Sequence, residues 1–259
     1  MKLSLARSIA IAIPLIAASP IVDSPVVIYL AGDSTMAPKL PEKRPETGWG
    51  EMLQEFFDSS AVRVHNHARN GRSTRTFLSE GRWKAIVDSL HSGDYVFIQF
   101  GHNDASKDKT DRYTPPADFR ANLLRFIDET RARGANPVLM TPVMRRRFDD
   151  NGKARNSHGE YPDIVRAVAT ERGVPIIDMH RKTSELLGLF GQTASAALFL
   201  QLPPGENANY PRGIQDNTHF SAFGARIVAS LVVEGIREAR LSVAAHFRKM
   251  EPPVTRESR

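Results

Sequence analysis

Four short stretches of this 259-residue chain carry side chains that together support nucleophilic attack by a serine on an acyl group. The first is Gly32-Asp33-Ser34-Thr35, which follows a run of apolar residues. A small Gly there lets the chain turn sharply, and the next Ser can point its hydroxyl into a crevice that backbone N–H groups also face. The second is Asn70-Gly71-Arg72-Ser73, where Gly71 offers an unhindered N–H. The third is Gly101-His102-Asn103-Asp104, where Asn103 presents a side-chain amide donor. The fourth is Asp216-Asn217-Thr218-His219, followed by Ser221 as a helix N-cap. A carboxylate three residues before an imidazole, in a turn, reaches the ring Nδ1–H and leaves Nε2 free as a base. Jointly the four stretches supply a nucleophile (Ser34), a base (His219), an orienter (Asp216) and oxyanion donors from Ser34, Gly71 and Asn103. Taken singly, each also reads as ordinary structure: a cap at Ser34 or Asp216, a turn at the other two.

Competing chemistries lack their residues. With no Cys, a disulfide scaffold, a thiolate metal site and a cysteine nucleophile are all excluded. There is no Gly-x-Ser-x-Gly elbow, no His-Glu-x-x-His and no phosphate-binding Gly-x-x-x-x-Gly-Lys. His65 and His67 share one side of a strand but have no clear third ligand nearby, so no metal and no cofactor are expected. Ser106-x-x-Lys109 imitates a penicillin-binding motif, yet it lies in a polar loop and Lys-Thr-Gly is absent. The formal charge is +6, from 35 basic and 29 acidic residues, which favours a polyanionic partner. Arg145, Arg146 and Arg147 follow a strand, and Arg72 and Arg75 flank Gly71. Their guanidinium forks suit carboxylates, so these five are the candidate substrate-binding residues; solvated surface charge is the competing reading.

The elements that must position these groups alternate. A continuous apolar, β-branched run predicts a strand over 26–31, and further strands are expected over 62–67, ended by the Asn70-Gly71 turn, and over 95–100, 137–140 and 175–178. Helical spacing predicts helices over 48–57, 82–90, 116–133, 162–172, much of 181–200, and 222–239. Strands alternating with helices give an α/β fold with a doubly wound, five-stranded parallel sheet covered on both faces. Ligands of such sheets bind beyond the carboxyl ends of the strands, which is where the candidate residues fall.

Residues 1–24 read as a secretory signal peptide: Lys2 and Arg7, then an apolar stretch broken by Pro14 and ending in small residues. Their removal leaves a net charge of +5, so the basic character belongs to the domain expected over 25–245, with a polar tail over 246–259. No other stretch approaches the roughly 20 apolar residues of a membrane span. The expectation is an exported protein, secreted or periplasmic, without stable membrane insertion.

The four stretches stand in the order of the SGNH (GDSL-type) hydrolase blocks, from about residue 26 to residue 239. The wording AGDSTMAP, GWGEML, ARNGRSTRTF, FGHND and DNTHFS resembles the rhamnogalacturonan acetylesterase branch, although Thr35 stands where the common spelling has Leu. The resemblance implies a three-layer α/β/α sandwich of SGNH or flavodoxin-like type. It makes Ser34 the nucleophile, His219 the base and Asp216 its orienter, with the Ser34 and Gly71 N–H groups and the Asn103 amide as the oxyanion hole. The implied activity is removal of acetyl groups from pectin through an acetyl-enzyme, without a cofactor, and the implied partner is an acetylated acidic polysaccharide rather than nucleic acid. A monomer is expected. The same residues leave two alternatives: an esterase or acyltransferase for acetylxylan or another acyl substrate, and a noncatalytic binder of polyanionic glycans. A neutral imidazole base also implies activity that declines below about pH 6.5.

Overall fold

The central strands owe their apolar continuity to burial on both faces. A computed structural model describes residues 24–248. Five parallel strands, β1 (Val26–Gly32), β2 (Val62–Asn66), β3 (Tyr95–Gln99), β4 (Asn136–Met140) and β5 (Ile176–Ile177), form one sheet in the order β2-β1-β3-β4-β5. Side chains alternate between two cores as the pleat requires. Ile28, Leu30, Phe97, Val138 and Met140 enter one; Tyr29, Ala31, Val96, Ile98 and Leu139 enter the other.

The first core is closed by α1 (Trp49–Met52) with the 3-10 turn that continues it, α6 (Met179–Ala194) and α7 (Ala222–Glu238), through Trp49, Leu53, Leu187, Val228 and Val232. The second is closed by α2 (Thr74–Ser79), α3 (Arg82–Ser89), α4 (Pro116–Ala132) and α5 (Tyr161–Arg172), through Phe77, Trp83, Phe119, Phe126 and Val165. The chain is therefore an α/β/α sandwich, and its strand order reverses direction between β1 and β3. That switch point opens a crevice between the β1 and β3 exits, the place where ligands of doubly wound sheets bind.

Several expectations are revised. The helix expected over 181–200 ends at Ala194, with Gly191 (φ 68°) outside the helical range, and the chain runs on through a 3-10 turn into β6 (Phe199–Leu202). β6 pairs antiparallel with β7 (Ile214–Phe220), a two-stranded sheet that the polar sequence of 215–219 concealed. The short helix α2 was likewise not anticipated. Gly32 has no positive φ; it is needed because a Cβ there would sit 2.9 Å from the Gln99 carbonyl oxygen on β3. At the far end the domain runs past 245: Phe247 packs on Phe57 with ring centroids 4.8 Å apart, and the Arg248 N–H donates to the Phe56 carbonyl. The expected tail beyond Arg248, and the expected leader up to Asp23, lie outside the described residues. Among the described residues no helix is long and apolar enough to cross a membrane. His65 and His67 pack against the Tyr29 ring, at 5.4 and 5.7 Å between centroids.

Candidate active site

Ser34 leaves β1 in a turn that Asp33 organises. The buried Asp33 Oδ1 accepts from the Thr35 N–H at 2.9 Å and the Thr35 hydroxyl at 2.8 Å. This local capping holds residues 33–37 in a tight turn, with the Met36 and Ala37 N–H groups on the Asp33 carbonyl. The half-buried Ser34 side chain faces the crevice.

Asp216 and His219 reach Ser34 through an irregularity in β7. The ladder pairs Leu202 with Ile214 and Gln201 with Gln215, and then Phe199 with Phe220. Leu200 thus faces four residues, 216–219, which are extruded as a large bulge. The turn expected at these residues is correct in local shape but sits inside a strand. Within the bulge Asp216 Oδ1 accepts the N–H groups of Thr218 (2.7 Å) and His219 (3.0 Å). Its Oδ2 lies 2.7 Å from His219 Nδ1, and His219 Nε2 lies 2.9 Å from Ser34 Oγ. A carboxylate only accepts, so Nδ1 carries the proton, and Nε2 accepts from the Ser34 hydroxyl. Burial works to raise the Asp216 pKa. The hydrogen bonds and charge of His219, with the Thr218 N–H, outweigh it and bring the carboxyl to about 2.

Opposite the imidazole, two loops are tied together. Asn103 Nδ2 donates to the Arg72 carbonyl at 2.9 Å, and its second amide hydrogen remains for another acceptor. Asp104 Oδ1 accepts from the Thr74 N–H (2.9 Å) and hydroxyl (2.6 Å), which fixes the start of α2 to the loop after β3. Gly71 adopts φ 76°, a left-handed conformation that Gly occupies without strain. The N–H groups of Ser34 and Gly71 have no acceptor among the described residues. Ser34, Gly71 and Asn103 all line one cleft of about 780 Å³ with His219. Three donors thus converge beside a hydrogen-bonded Ser-His-Asp relay, the arrangement an acyl-transfer site needs.

The cleft is basic. Lys43, Arg72, Lys109, Arg112, Arg145 and Arg147 line it, against Glu46 and Asp108. Of the expected arginines, Arg72, Arg145 and Arg147 are therefore at the cleft, while Arg75 and Arg146 are not. Arg75 is exposed and donates to the Thr110 carbonyl. Arg146 braces the β7 bulge, donating to Asn217 Oδ1 (3.0 Å) and the Gln192 carbonyl, because β4 delivers it toward α6 and β7. Arg72 is held by Glu80, and Arg145 by Ser157 and the His102 carbonyl. Lys43, Lys109 and Arg147 have no side-chain partner among the described residues. Lys43, Lys109 and Arg112 were not among the expected substrate-binding residues, because none sits directly after a predicted strand or beside Gly71. Two further groups at the site were not anticipated. Lys39 and Glu46 form a buried ion pair 2.8 Å long beneath Ser34. His102 and His158 form a buried ring pair, with His102 Nδ1 and His158 Nε2 3.1 Å apart.

Comparison with known proteins agrees with this geometry. Residues 30–227 match the GDSL-like lipase/acylhydrolase family. The chain is 45% identical over 227 residues to the rhamnogalacturonan acetylesterase RhgT of Bacillus subtilis, covering 88% of this chain and 96% of that protein. A rhamnogalacturonan acetylesterase of Emericella nidulans is 28% identical, with 81% and 84% covered. Among solved structures, the Bacillus subtilis protein YxiM superposes with a TM-score of 0.73 at 26% identity, over 85% of this chain and 58% of that one. The acetylxylan esterase Axe2 of Geobacillus stearothermophilus gives a TM-score of 0.60 at 20% identity, over 83% and 95%, and so shares the fold.

Proposed function

We propose that this chain, which belongs to the GDSL-like lipase/acylhydrolase family and is a carboxylic ester hydrolase, removes O-acetyl groups from rhamnogalacturonan or a closely related acidic cell-wall polysaccharide. The observation that carries the chemistry is the unbroken relay from Asp216 through His219 to Ser34 Oγ. His219 Nε2 takes the hydroxyl proton as Ser34 attacks the acetyl carbonyl carbon. Asp216, whose carboxyl is held down at about 2, is the counter-charge that stabilises the imidazolium that results. The negative charge on the carbonyl oxygen meets the N–H groups of Ser34 and Gly71 and the free amide hydrogen of Asn103, each worth about 2.7–4 kcal/mol to the transition state. His219 then returns the proton to the departing sugar oxygen. Water, deprotonated by the same imidazole, hydrolyses the acetyl-Ser34 ester and frees acetate.

The substrate assignment is supported by the relatives named above and by the cationic cleft. Lys43, Lys109 and Arg147 are disengaged cations at the rim, suited to the carboxylates of a uronate-containing backbone. Export through the leader at 1–24 belongs to the same proposal, since such a polymer lies outside the cell. The test is acetate release from acetylated rhamnogalacturonan and from acetylated xylan at matched acetyl content. The expected result is clear preference for the acidic polymer. Equal rates, or preference for xylan, would remove the substrate assignment and leave the esterase.

A further inference from the structure

The buried pair Lys39–Glu46 has no counterpart in the machinery described so far. The Lys39 side chain is fully buried, and its ammonium has three donor hydrogens and three acceptors. They are the Ser34 carbonyl oxygen, Asn70 Oδ1 at 2.9 Å and Glu46 Oε1 at 2.8 Å. The three acceptors belong to three separate segments: the nucleophile turn, the turn that carries Gly71, and the residues leading into α1. Glu46 Oε1 in turn lies 4.0 Å from His219 Nε2, the nitrogen that accepts the Ser34 proton. Desolvating two charges in this way is costly, and a simple apolar filling would pack the same space. The excursion between the two residues is itself braced: Asn209 Nδ2 donates to the carbonyls of Pro41 and Arg44, and the Tyr210 hydroxyl to that of Lys43.

We propose that Lys39 and Glu46 are a positioning pair, in which Lys39 fixes Ser34 and the Gly71 turn relative to each other and Glu46 sets the charge that faces His219 Nε2. The proposal rests on the reading of Ser34 and His219 as nucleophile and base. Lys39 lies 2.8 Å from the same Glu46 oxygen that faces the imidazole, so removing either charge exposes the other to His219. The other ionisable groups that face it or share its cleft stay the same when the pair is altered: Asp33 after β1, Lys43 before α1, Arg72 after β2, His102, Asp108, Lys109 and Arg112 after β3, and Arg145 and Arg147 after β4. The two members of the pair therefore have opposite electrostatic effects on the base but a shared effect on geometry. Burial pulls the Lys39 ammonium below its usual range, while the hydrogen bond and charge of Glu46 hold it up, as expected of a pair whose members depend on each other.

The experiment measures kcat, KM and the pH dependence of kcat/KM on a small neutral aryl acetate. It compares wild type, Lys39→Met, Glu46→Gln and the double variant, with near-ultraviolet circular dichroism to verify folding. Lys39→Met leaves Glu46 uncompensated, stabilises the imidazolium and moves the acid limb to higher pH. Glu46→Gln leaves Lys39 uncompensated and moves it to lower pH. Each displacement is expected at roughly half to one pH unit, and the double variant returns close to wild type. Both variants that lack Lys39 lose kcat by roughly 10- to 100-fold with KM little changed, because displaced reacting groups weaken the chemical step. Single variants whose limbs stay in place or move the same way, or Lys39→Met with wild-type kcat, would overturn the proposal. If Lys39→Met does not fold, the limb of Glu46→Gln must still lie below that of the uncharged double variant. Ser34→Ala run alongside separates the two readings: turnover there removes the nucleophile, whereas a dead Ser34→Ala with unmoved limbs removes only the pair.

Discussion

Two carboxylates stand behind residues that line the same cleft, and they are driven in opposite directions. Asp216, in the extruded bulge of β7, accepts two backbone N–H groups and an imidazole N–H, and its pKa lies at about 2. Asp104, in the loop after β3, is fully buried; desolvation outweighs its hydrogen bonds to Thr74, and its pKa is pushed up to about 6. The contrast extends to their neighbours. The buried side-chain polar atoms without a partner among the described residues are Asp33 Oδ2, Asp104 Oδ2, His102 Nε2 and His158 Nδ1, in the loops that follow β1, β3 and β4. There burial raises the carboxyls and holds both imidazoles well below their usual range, so the groups tend toward neutrality. On the β7 side charge is kept, because backbone donors and His219 solvate it. One fold thus favours the anion beside His219 and works against charge on the buried groups that brace the loops.

The comparison can be broken most strongly at Asp216. Asp216→Asn removes the acceptor that selects the Nδ1–H tautomer, and kcat is expected to drop by on the order of 10⁴-fold, the scale known for this change in serine proteases. Steady-state kinetics on an aryl acetate measures it, and a loss below tenfold would show that the counter-charge is dispensable. A smaller effect is expected across the cleft at the donor next to Asp104. Asn103→Ala should lower kcat by about 10²–10³-fold with little change in KM, since its contact forms only as the oxyanion develops.

Asp104 itself should show its role in stability rather than rate. A raised carboxyl contributes stability that is present below the unfolded value near 4 and is lost as pH rises through about 6. Asp104→Asn keeps an acceptor for Thr74 and cannot ionise. Its unfolding free energy should therefore fall less than that of wild type between about pH 4 and about pH 8, by on the order of 3 kcal/mol, read by denaturant titration at the two pH values. Identical profiles would show that Asp104 is not the group titrating in this range. Asp216 has the opposite sign: its contribution is present above about 4 and is lost as pH falls toward about 2.

The same contrast explains what could be read from residue order. The central sheet strands were legible because double-sided burial leaves continuous apolar runs such as Val26–Ala31, and the edge strand β2 by its alternating valines and the Asn70-Gly71 turn after it. The Ser34, Gly71, Asn103, Asp216 and His219 stretches were visible because a Gly, a small polar residue or an Asp-x-x-His spacing marks each turn. The β6–β7 pair was hidden: Phe199 and Leu200 prolong a helical pattern, and Phe220 is the only buried residue of β7. α2 was hidden by its shortness; Ser73 and Thr76 cap it reciprocally, with no Asp or Glu to signal the start. The Lys39–Glu46 pair carries no periodic signal, since a proline-rich excursion brings its ends together. Nor does spacing reveal that Arg146 braces a bulge while Arg147, one residue on, lines the cleft. The opposite pKa values of Asp104 and Asp216 depend on burial and donors that tertiary packing alone supplies.

The central claim is that Ser34 is the acyl-accepting nucleophile, activated by His219. Stoichiometric treatment with a serine-directed organophosphorus reagent, followed by peptide mass spectrometry and residual acetylesterase activity, tests it directly. The expected result is one adduct per chain, on Ser34, formed in step with complete loss of turnover and absent from Ser34→Ala. An adduct on another residue, or turnover that survives full modification of Ser34, would contradict it.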